Sequence, residues 1–208
     1  MKYPKLRELK EAIKALIKGP YTTSYPFKPH KPYERFRGRP YFHEDDCMGC
    51  TACAQVCPSN AIDYEDTVVN GKGVRKLIIH WDICIFCGQC QANCPTTKGI
   101  ILSQEYDFAT TENREALKQE IEKELMLCDG CGSQVLPYDQ YLWVAKKLGP
   151  LVFSNASLIL IYLRVLELAL SADGTKERCI LKADSEYSRS DRIKILCPKC
   201  RREAALKS

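Results

Sequence analysis

The sequence predicts an α+β fold in which short strands and loops around a cysteine repeat are combined with several helices. Residues 45–105 contain two copies of the unit Cys-x2-Cys-x2-Cys-x3-Cys-Pro, each followed by a short apolar stretch. Apolar side chains recur at about 3.6-residue spacing in the segments 4–18, 112–127, 138–148 and 155–170, which predicts helices there. A chain of 208 residues with these elements suits one domain or two small ones.

The first 42 residues predict an amphipathic helix followed by an extended docking arm. The apolar residues of the helix fall near one face, and Gly19-Pro20 ends it. Residues 20–42 contain five prolines and several aromatic residues, a composition typical of a segment that lies over another surface. Residues 1–40 are basic, with eleven Lys and Arg against three acids. The basic residues could bind nucleic acid, but the prolines and aromatic residues favour a protein partner.

Thirteen cysteines indicate either a disulfide scaffold in a secreted protein or metal ligation inside the cell. The N-terminus has no continuous apolar core and no small-residue cleavage site, so no signal peptide is expected. Leu151–Leu170 carries Asn155, Arg164 and Glu167, which makes it too polar for a membrane span of about 20 apolar residues. We therefore expect an intracellular chain whose reduced thiolates hold metal.

The cysteine repeat predicts two [4Fe–4S] clusters in a bacterial-type ferredoxin core. Three thiolates at Cys-x2-Cys-x2-Cys spacing can come from one tight turn, and in two-cluster ferredoxins the fourth cysteine ligates the other cluster. A pair of zinc knuckles or a disulfide set is the alternative, but zinc sites usually take paired Cys-x2-Cys units without the triplet. The predicted ligands are Cys47, Cys50, Cys53 and Cys94 for cluster 1, and Cys84, Cys87, Cys90 and Cys57 for cluster 2.

Glycines and a turn signal complete the predicted core. Gly49 and Gly88 are expected to let the backbone approach the clusters without a Cβ in the way. The segment Asn70-Gly71-Lys72-Gly73 predicts a hairpin turn between the two copies, joining the strands around 62–69 and 74–80.

A second cysteine set closes the chain. Its members are Cys128, Cys131, Cys197 and Cys200, in two Cys-x2-Cys knuckles. Four thiolates from two knuckles predict a tetrahedral site for one Zn2+ or a single iron, with four free thiols as the alternative. The predicted site pins the C-terminus against a helix over 112–127 that is capped by Thr111. A short strand is expected over Arg192–Leu196, and the lone Cys179 is expected to be a small buried hydrophobe.

These elements predict three parts. Residues 1–42 form the amphipathic helix and docking arm, residues 43–110 form the two-cluster ferredoxin domain, and residues 111–208 form a zinc-ribbon-like, helical extension closed by the four-cysteine site. The chain shows no nucleophile–base motif, no phosphate-binding glycine loop and no pair of catalytic carboxylates. We therefore expect no catalytic residues and no enzyme activity of the chain on its own.

Several motifs resemble one family of electron-transfer subunits. Cys84-Ile-Phe-Cys87-Gly-Gln-Cys90 and Leu102-Ser-Gln-Glu105-Tyr106 are similar to the two-cluster subunit of respiratory complex I and of membrane-bound [NiFe] hydrogenases. Further segments are similar to the ferredoxin-like subunit of formate hydrogenlyase and related energy-converting hydrogenases, a narrower group. These segments are Thr22-Thr-Ser-Tyr25-Pro26, Phe36-Arg-Gly-Arg-Pro40, Cys57-Pro-Ser-Asn-Ala61 and the late cysteine pairs. The resemblance covers residues 15–131 and the final knuckle.

The resemblance implies an electron relay at the cytoplasmic face of the membrane, as a peripheral subunit of a larger oxidoreductase complex. It implies as partners the hydrogenase small and large subunits, membrane-arm subunits, and a formate dehydrogenase, CO dehydrogenase or ferredoxin as electron donor. The equivalent subunit of a complex I-type quinone oxidoreductase is one alternative, although that subunit normally lacks the late knuckles. A stand-alone ferredoxin and a zinc-ribbon interaction or nucleic-acid-binding protein are the others.

Overall fold

The computed structural model describes residues 5–19, 21–69, 71–165 and 194–206. The chain divides into two compact units, residues 1–36 and 37–208. In the first unit, helix α1 spans Leu6–Lys18, which confirms the predicted amphipathic helix. The residues from 21 to 36 form neither helix nor strand.

The second unit contains two antiparallel sheets and a set of helices. Its strands are β1 (Pro40–Phe42), β2 (Ile62–Val69), β3 (Lys72–His80), β4 (Ile100–Leu102), β5 (Lys118–Leu127) and β6 (Gln134–Pro137). Its α-helices are α2 (Ala52–Gln55), α3 (Gln89–Ala92), α4 (Tyr138–Leu148), α5 (Ala156–Val165) and α6 (Pro198–Leu206). Short 3-10 helices cover Arg114–Ala116 and Gly149–Ser154. Strand β1 pairs with β4, and the other four strands form a sheet in the order β2-β3-β5-β6.

The β2–β3 hairpin confirms the turn predicted between the two cysteine motifs. Its strands pair from Ile62 opposite Ile79 to Val69 opposite Lys72, and Gly71 adopts the positive φ that such a turn needs. The buried core joins this hairpin to β1, β4 and β5, with Trp81 at its edge. The Trp81 indole N–H donates to the carbonyl oxygen of Pro40 at 2.7 Å, so this buried polar group is satisfied.

The helix predicted over 112–127 is wrong. Residues 118–127 form strand β5, and the only helical turn nearby is the 3-10 helix, capped by the Asn113 side chain rather than Thr111. The prediction used apolar residues four apart, and a spacing of four places side chains on one face of a strand as well as of a helix. The alternation of β5 settles the choice, since Ile121, Lys123 and Leu125 are buried while the glutamates between them are exposed.

The C-terminal part agrees with the predicted helices where it is described. Helix α4 covers 138–148 as predicted, and α5 covers the described part of the helix predicted over 155–170. Of the strand predicted over Arg192–Leu196, residues 194–196 form no strand and the rest lies outside the described residues, as does Cys179. Helix α6 was not predicted; it begins at Pro198, where the ring suits the first helical position.

The four-stranded sheet extends over the predicted boundary between the second and third parts of the chain. Pairing of β3 with β5 carries the sheet across residue 110, while the division into 1–42, 43–110 and 111–208 stays a prediction.

Within the described ranges, no single helix has the length and apolar composition to cross a bilayer. The stretches Tyr138–Ser154 and Ala156–Leu163, which are bent by 120° from each other, meet those two criteria only when taken as a pair.

Replacing Ile79 with alanine tests the central strand. Ile79 is fully buried between β2 and β5, so the cavity left by Ile79→Ala should destabilise the second unit by about 2–5 kcal/mol. Thermal unfolding followed by circular dichroism should show a lower midpoint. The control Val69→Ala removes methyl groups from a side chain of the same sheet that is 64% exposed, and its midpoint should match the unmodified protein. Equal midpoints for both variants would contradict the described core.

Candidate metal centres

The two cysteine motifs fold into loops with the same backbone. The second and fourth residues after the first cysteine are left-handed in both copies: Gly49 (φ 70°) and Thr51 (φ 63°) in one, Phe86 (φ 53°) and Gly88 (φ 79°) in the other. A one-turn helix then carries the third cysteine of each loop. The sequence repeat is therefore also a structural repeat.

Gly49 has a second reason to lack a side chain. A Cβ at this position would lie 3.2 Å from Cβ of Lys123 and 3.2 Å from Cγ of Pro137, tighter than most real contacts. Strands β5 and β6 therefore pack closely on the first motif. At Gly88 a Cβ would meet Cδ of Arg37 at 3.5 Å and Cδ2 of Leu102 at 3.8 Å, which are ordinary contacts, so the positive φ is the stronger constraint there.

The first cavity lies between the two copies of the repeat. It has an empty volume of about 320 Å3, including the part open to solvent, and apolar side chains such as Phe42, Leu77 and Ile100 line it. The cysteines that line it are Cys47, Cys50, Cys53 and Cys94. Three of them come from the first copy and one from the second, which is the set predicted for cluster 1.

The second cavity mirrors the first. It has an empty volume of about 340 Å3, and the cysteines that line it are Cys57, Cys84, Cys87 and Cys90. Backbone amides already point at two of these sulfurs: the N–H of Ala61 donates to Sγ of Cys57 at 3.2 Å, and the N–H of Phe86 donates to Sγ of Cys84 at 3.5 Å. Such hydrogen bonds stabilise the thiolate form that an iron–sulfur cluster requires.

Burial affects most of these thiols. It raises the pKa of Cys53 to about 12 and that of Cys90 to about 11, and it raises the pKa of Cys47 and Cys84 as well. Burial also acts on Cys57, but hydrogen bonds from neighbouring groups outweigh it and lower the pKa of that thiol. Thiols with a raised pKa stay protonated at neutral pH, so iron binding must release protons and strengthens as the pH rises. Each cavity offers four sulfurs and apolar walls, which fits a [4Fe–4S] cluster.

Three cationic side chains contact the motif loops, and the sequence analysis did not single them out. Arg75 donates to the carbonyl oxygen of Gly49 at 2.9 Å, and Arg37 donates to that of Cys87 at 2.8 Å. Lys123 donates to the carbonyl oxygen of Glu44, just before the first motif, at 2.5 Å. Had residues 118–127 been predicted as a strand, alternation would have placed Lys123 on the buried face.

The second cysteine set also comes together. Its sulfurs, from Cys128, Cys131, Cys197 and Cys200, all lie within 4.8 Å of one another. The first two follow β5, Cys197 directly precedes α6 and Cys200 lies in its first turn. Cys131 is exposed and the others are buried. These four thiols form a metal site in the C-terminal region. The site joins α6 to the end of a strand, whereas a helix ending at residue 127 was expected.

Backbone hydrogen bonds hold the two knuckles against each other. The N–H of Asp129 donates to the carbonyl oxygen of Ile195 at 2.8 Å, and the Asp129 carboxylate accepts from the N–H of Ile195 at 2.8 Å. The N–H of Cys197 donates to Sγ of Cys128 at 3.2 Å. The four sulfurs are thus brought together by the protein's own contacts, and a bound metal would complete this arrangement.

The part of the chain that contains the two cysteine motifs is similar in sequence to known proteins. The 4Fe-4S dicluster domain family matches residues 46–98. Formate hydrogenlyase subunit 6 of Escherichia coli is 40% identical over 111 residues, which cover 51% of this chain and 58% of that protein. NAD(P)H-quinone oxidoreductase subunit I of Gloeobacter violaceus is 36% identical over 99 residues, which cover 46% of this chain and 47% of that protein. The chain thus spans about half the length of the curated relatives it matches.

One solved structure is also similar. It is the membrane-bound sulfane sulfur reductase (MBS), an archaeal respiratory membrane complex. The similarity covers 55% of this chain and 61% of the matched chain, with 29% sequence identity and a TM-score of 0.40. A TM-score at that level does not establish a shared overall fold. The sequence matches confirm the predicted resemblance: residues 46–98 match the 4Fe-4S dicluster domain family, and about half of the chain is similar to formate hydrogenlyase subunit 6 and to NAD(P)H-quinone oxidoreductase subunit I.

Proposed function

We propose that this protein is an electron relay with two [4Fe–4S] clusters in a membrane-associated, H2-evolving complex. It takes electrons from an input module, which is a formate dehydrogenase, a CO dehydrogenase or a ferredoxin, and delivers them to the small subunit of a [NiFe] hydrogenase. The observation that carries the proposal is the pair of four-cysteine cavities, each built from both copies of the repeat.

In this proposal the two cavities hold the two clusters. Cys47, Cys50, Cys53 and Cys94 bind cluster 1, and Cys84, Cys87, Cys90 and Cys57 bind cluster 2. A bound [4Fe–4S] cluster supplies reversible one-electron transfer. The protein orients the thiolates, and its apolar walls exclude water. Because the fourth ligand crosses between the halves, the two centres are held close together in a fixed relation.

The match to formate hydrogenlyase subunit 6, which is 40% identical over 111 residues, supports the hydrogenase assignment. The late cysteine pairs favour it as well. A relay in a complex I-type quinone oxidoreductase is the second candidate, because subunits of that class are also among the relatives.

We propose peripheral contact with the membrane surface through α1. Within residues 1–36, this helix buries none of its side chains, and Leu6, Leu16 and Ile17 are each more than four-fifths exposed. Lysines flank this apolar face, which suits an interfacial helix against anionic headgroups on the cytoplasmic face of the membrane.

The four-cysteine site of the C-terminal region is proposed to hold structural Zn2+. Three of its four ligands are buried, and a closed set of four thiolates leaves no open coordination position. A single iron is the alternative, because the same ligand set suits both metals.

The crossed assignment is tested with serine variants of single cysteines. Cys94→Ser should remove the EPR signal of the cluster held by the first motif, so its spectrum should match that of Cys50→Ser. Cys57→Ser should match Cys87→Ser. Spectra are recorded on anaerobically prepared, dithionite-reduced protein. A Cys94→Ser spectrum that matches Cys87→Ser would refute the crossing.

The zinc site is tested with Cys197→Ser. This variant should lose one metal ion per chain and assemble less well into its complex, while the visible absorbance of both clusters remains. Elemental analysis of zinc and iron measures the loss. Cys179→Ser is the control, since Cys179 has no predicted ligand role, and its metal content should be unchanged. Unaltered zinc and iron in Cys197→Ser would count against a four-thiolate site.

The function is tested by anaerobic purification of the tagged full-length protein from membranes of its native host. Hydrogenase subunits should co-purify, and the preparation should evolve H2 from a low-potential electron donor. Quinone reductase activity without hydrogenase subunits would support the second candidate instead. Recovery as a free monomer from the soluble fraction would exclude both.

A further inference from the structure

Two positive charges lie directly opposite each other on the core face of the four-stranded sheet. Arg75 on β3 is the cross-strand partner of Lys123 on β5. The Arg75 side chain is 14% exposed, and Lys123 is the one charged residue that counts as buried among the described positions. Like charges in direct opposition destabilise a sheet, and buried charges are costly to desolvate. A compensating negative charge is therefore expected nearby.

Each cation has one carboxylate partner, but the partners differ in exposure. Arg75 makes two hydrogen bonds of 2.7 Å to Asp66, whose side chain is as buried as that of Arg75. Lys123 donates to Asp139 at 2.8 Å, and the Asp139 side chain is 44% exposed. Water screens an exposed charge more than a buried one. The Arg75 pair is thus close to neutral, whereas the charge of Lys123 is only partly compensated by the more exposed Asp139.

Both cations converge on the first cysteine motif. Lys123 donates to the carbonyl oxygen of Glu44, and its Cβ and Cγ lie against Gly49. Arg75 donates to the carbonyl oxygen of Gly49 and so acts as a positioning residue for the loop.

The second motif has a different electrostatic environment. The cation that contacts its loop is Arg37, which donates to the carbonyl oxygen of Cys87 and is exposed to solvent. The two halves of the repeat therefore have the same backbone and equivalent cavities but unequal electrostatic surroundings.

We propose that Lys123 makes the cluster held by Cys47, Cys50, Cys53 and Cys94 the more easily reduced of the two, so that an electron on the relay resides there. The inference rests on the proposed two-cluster function. Reduction adds one negative charge to a centre that already carries four thiolates, and a buried ammonium stabilises that charge more strongly than a solvated guanidinium does. The cluster then supplies the part of the compensating charge that the half-exposed Asp139 does not.

The test is an EPR-monitored redox titration of the anaerobically prepared full-length protein. Lys123→Gln should lower the midpoint potential of the higher-potential cluster, changing its reduced-to-oxidised ratio at a fixed potential by about tenfold, or 59 mV for one electron. Lys123→Arg, which keeps the charge, should retain most of the original value. The matched control Lys76→Gln removes a lysine from the opposite face of the same sheet, and both potentials should stay unchanged.

Two further variants keep the proposal testable if Lys123→Gln does not assemble. Asp139→Asn removes the half-exposed counter-charge and should shift the same cluster in the opposite direction, to a higher potential. Arg37→Gln should lower the potential of the other cluster. The proposal is overturned if Asp139→Asn or Lys123→Gln shifts the lower-potential cluster, or shifts neither cluster more than Lys76→Gln does. Absence of two reducible clusters in the unmodified protein would instead refute the proposed function.

Discussion

Each cavity of this protein takes its four thiols from both halves of the internal repeat, and the rest of the second unit packs around these two shared cavities. The β2–β3 hairpin separates the two loops along the sequence, and pairing of β1 with β4 closes the other side. The core side chains fill the space between the two cavities and their sheet. A cluster bound in either cavity would therefore link the two halves through metal–sulfur bonds, in addition to the buried apolar core.

The symmetry of the repeat ends where the C-terminal part packs on it. Strand β5 extends the hairpin sheet, and its Lys123, together with Pro137 at the end of β6, occupies the space next to Gly49. The second motif has Phe86 at the position of Gly49, and the Phe86 ring contacts Phe108 edge-on instead. One loop is thus supported by an added strand and a buried lysine, and the other is not. Two equal ligand sets can acquire different reduction potentials in this way, because the potential responds to nearby charge and to solvent access.

Features that depend only on the spacing of residues along the chain could be predicted from the sequence. The cysteines that line each of the two cavities follow from the repeat, and the hairpin follows from Asn70-Gly71. Helix α1 follows from the 3.6-residue period of its apolar residues. Strand β5 could not be predicted in the same way, because its apolar residues are four apart and its identity depends on pairing with β3. The role of Lys123 was missed for the same reason, since a lysine on a helix would be expected in solvent. Helix α6 was missed because the final knuckle was treated as the end of the structure.

The central claim is that this chain holds two [4Fe–4S] clusters, and its iron and acid-labile sulfide content tests that claim most directly. Protein prepared and kept without oxygen should contain about eight iron and eight sulfide per chain, as two such clusters require. Zinc, or one further iron, should account for the site formed by Cys128, Cys131, Cys197 and Cys200. Protein with no acid-labile sulfide and almost no iron would contradict the account, and the proposed relay would have no electron carrier.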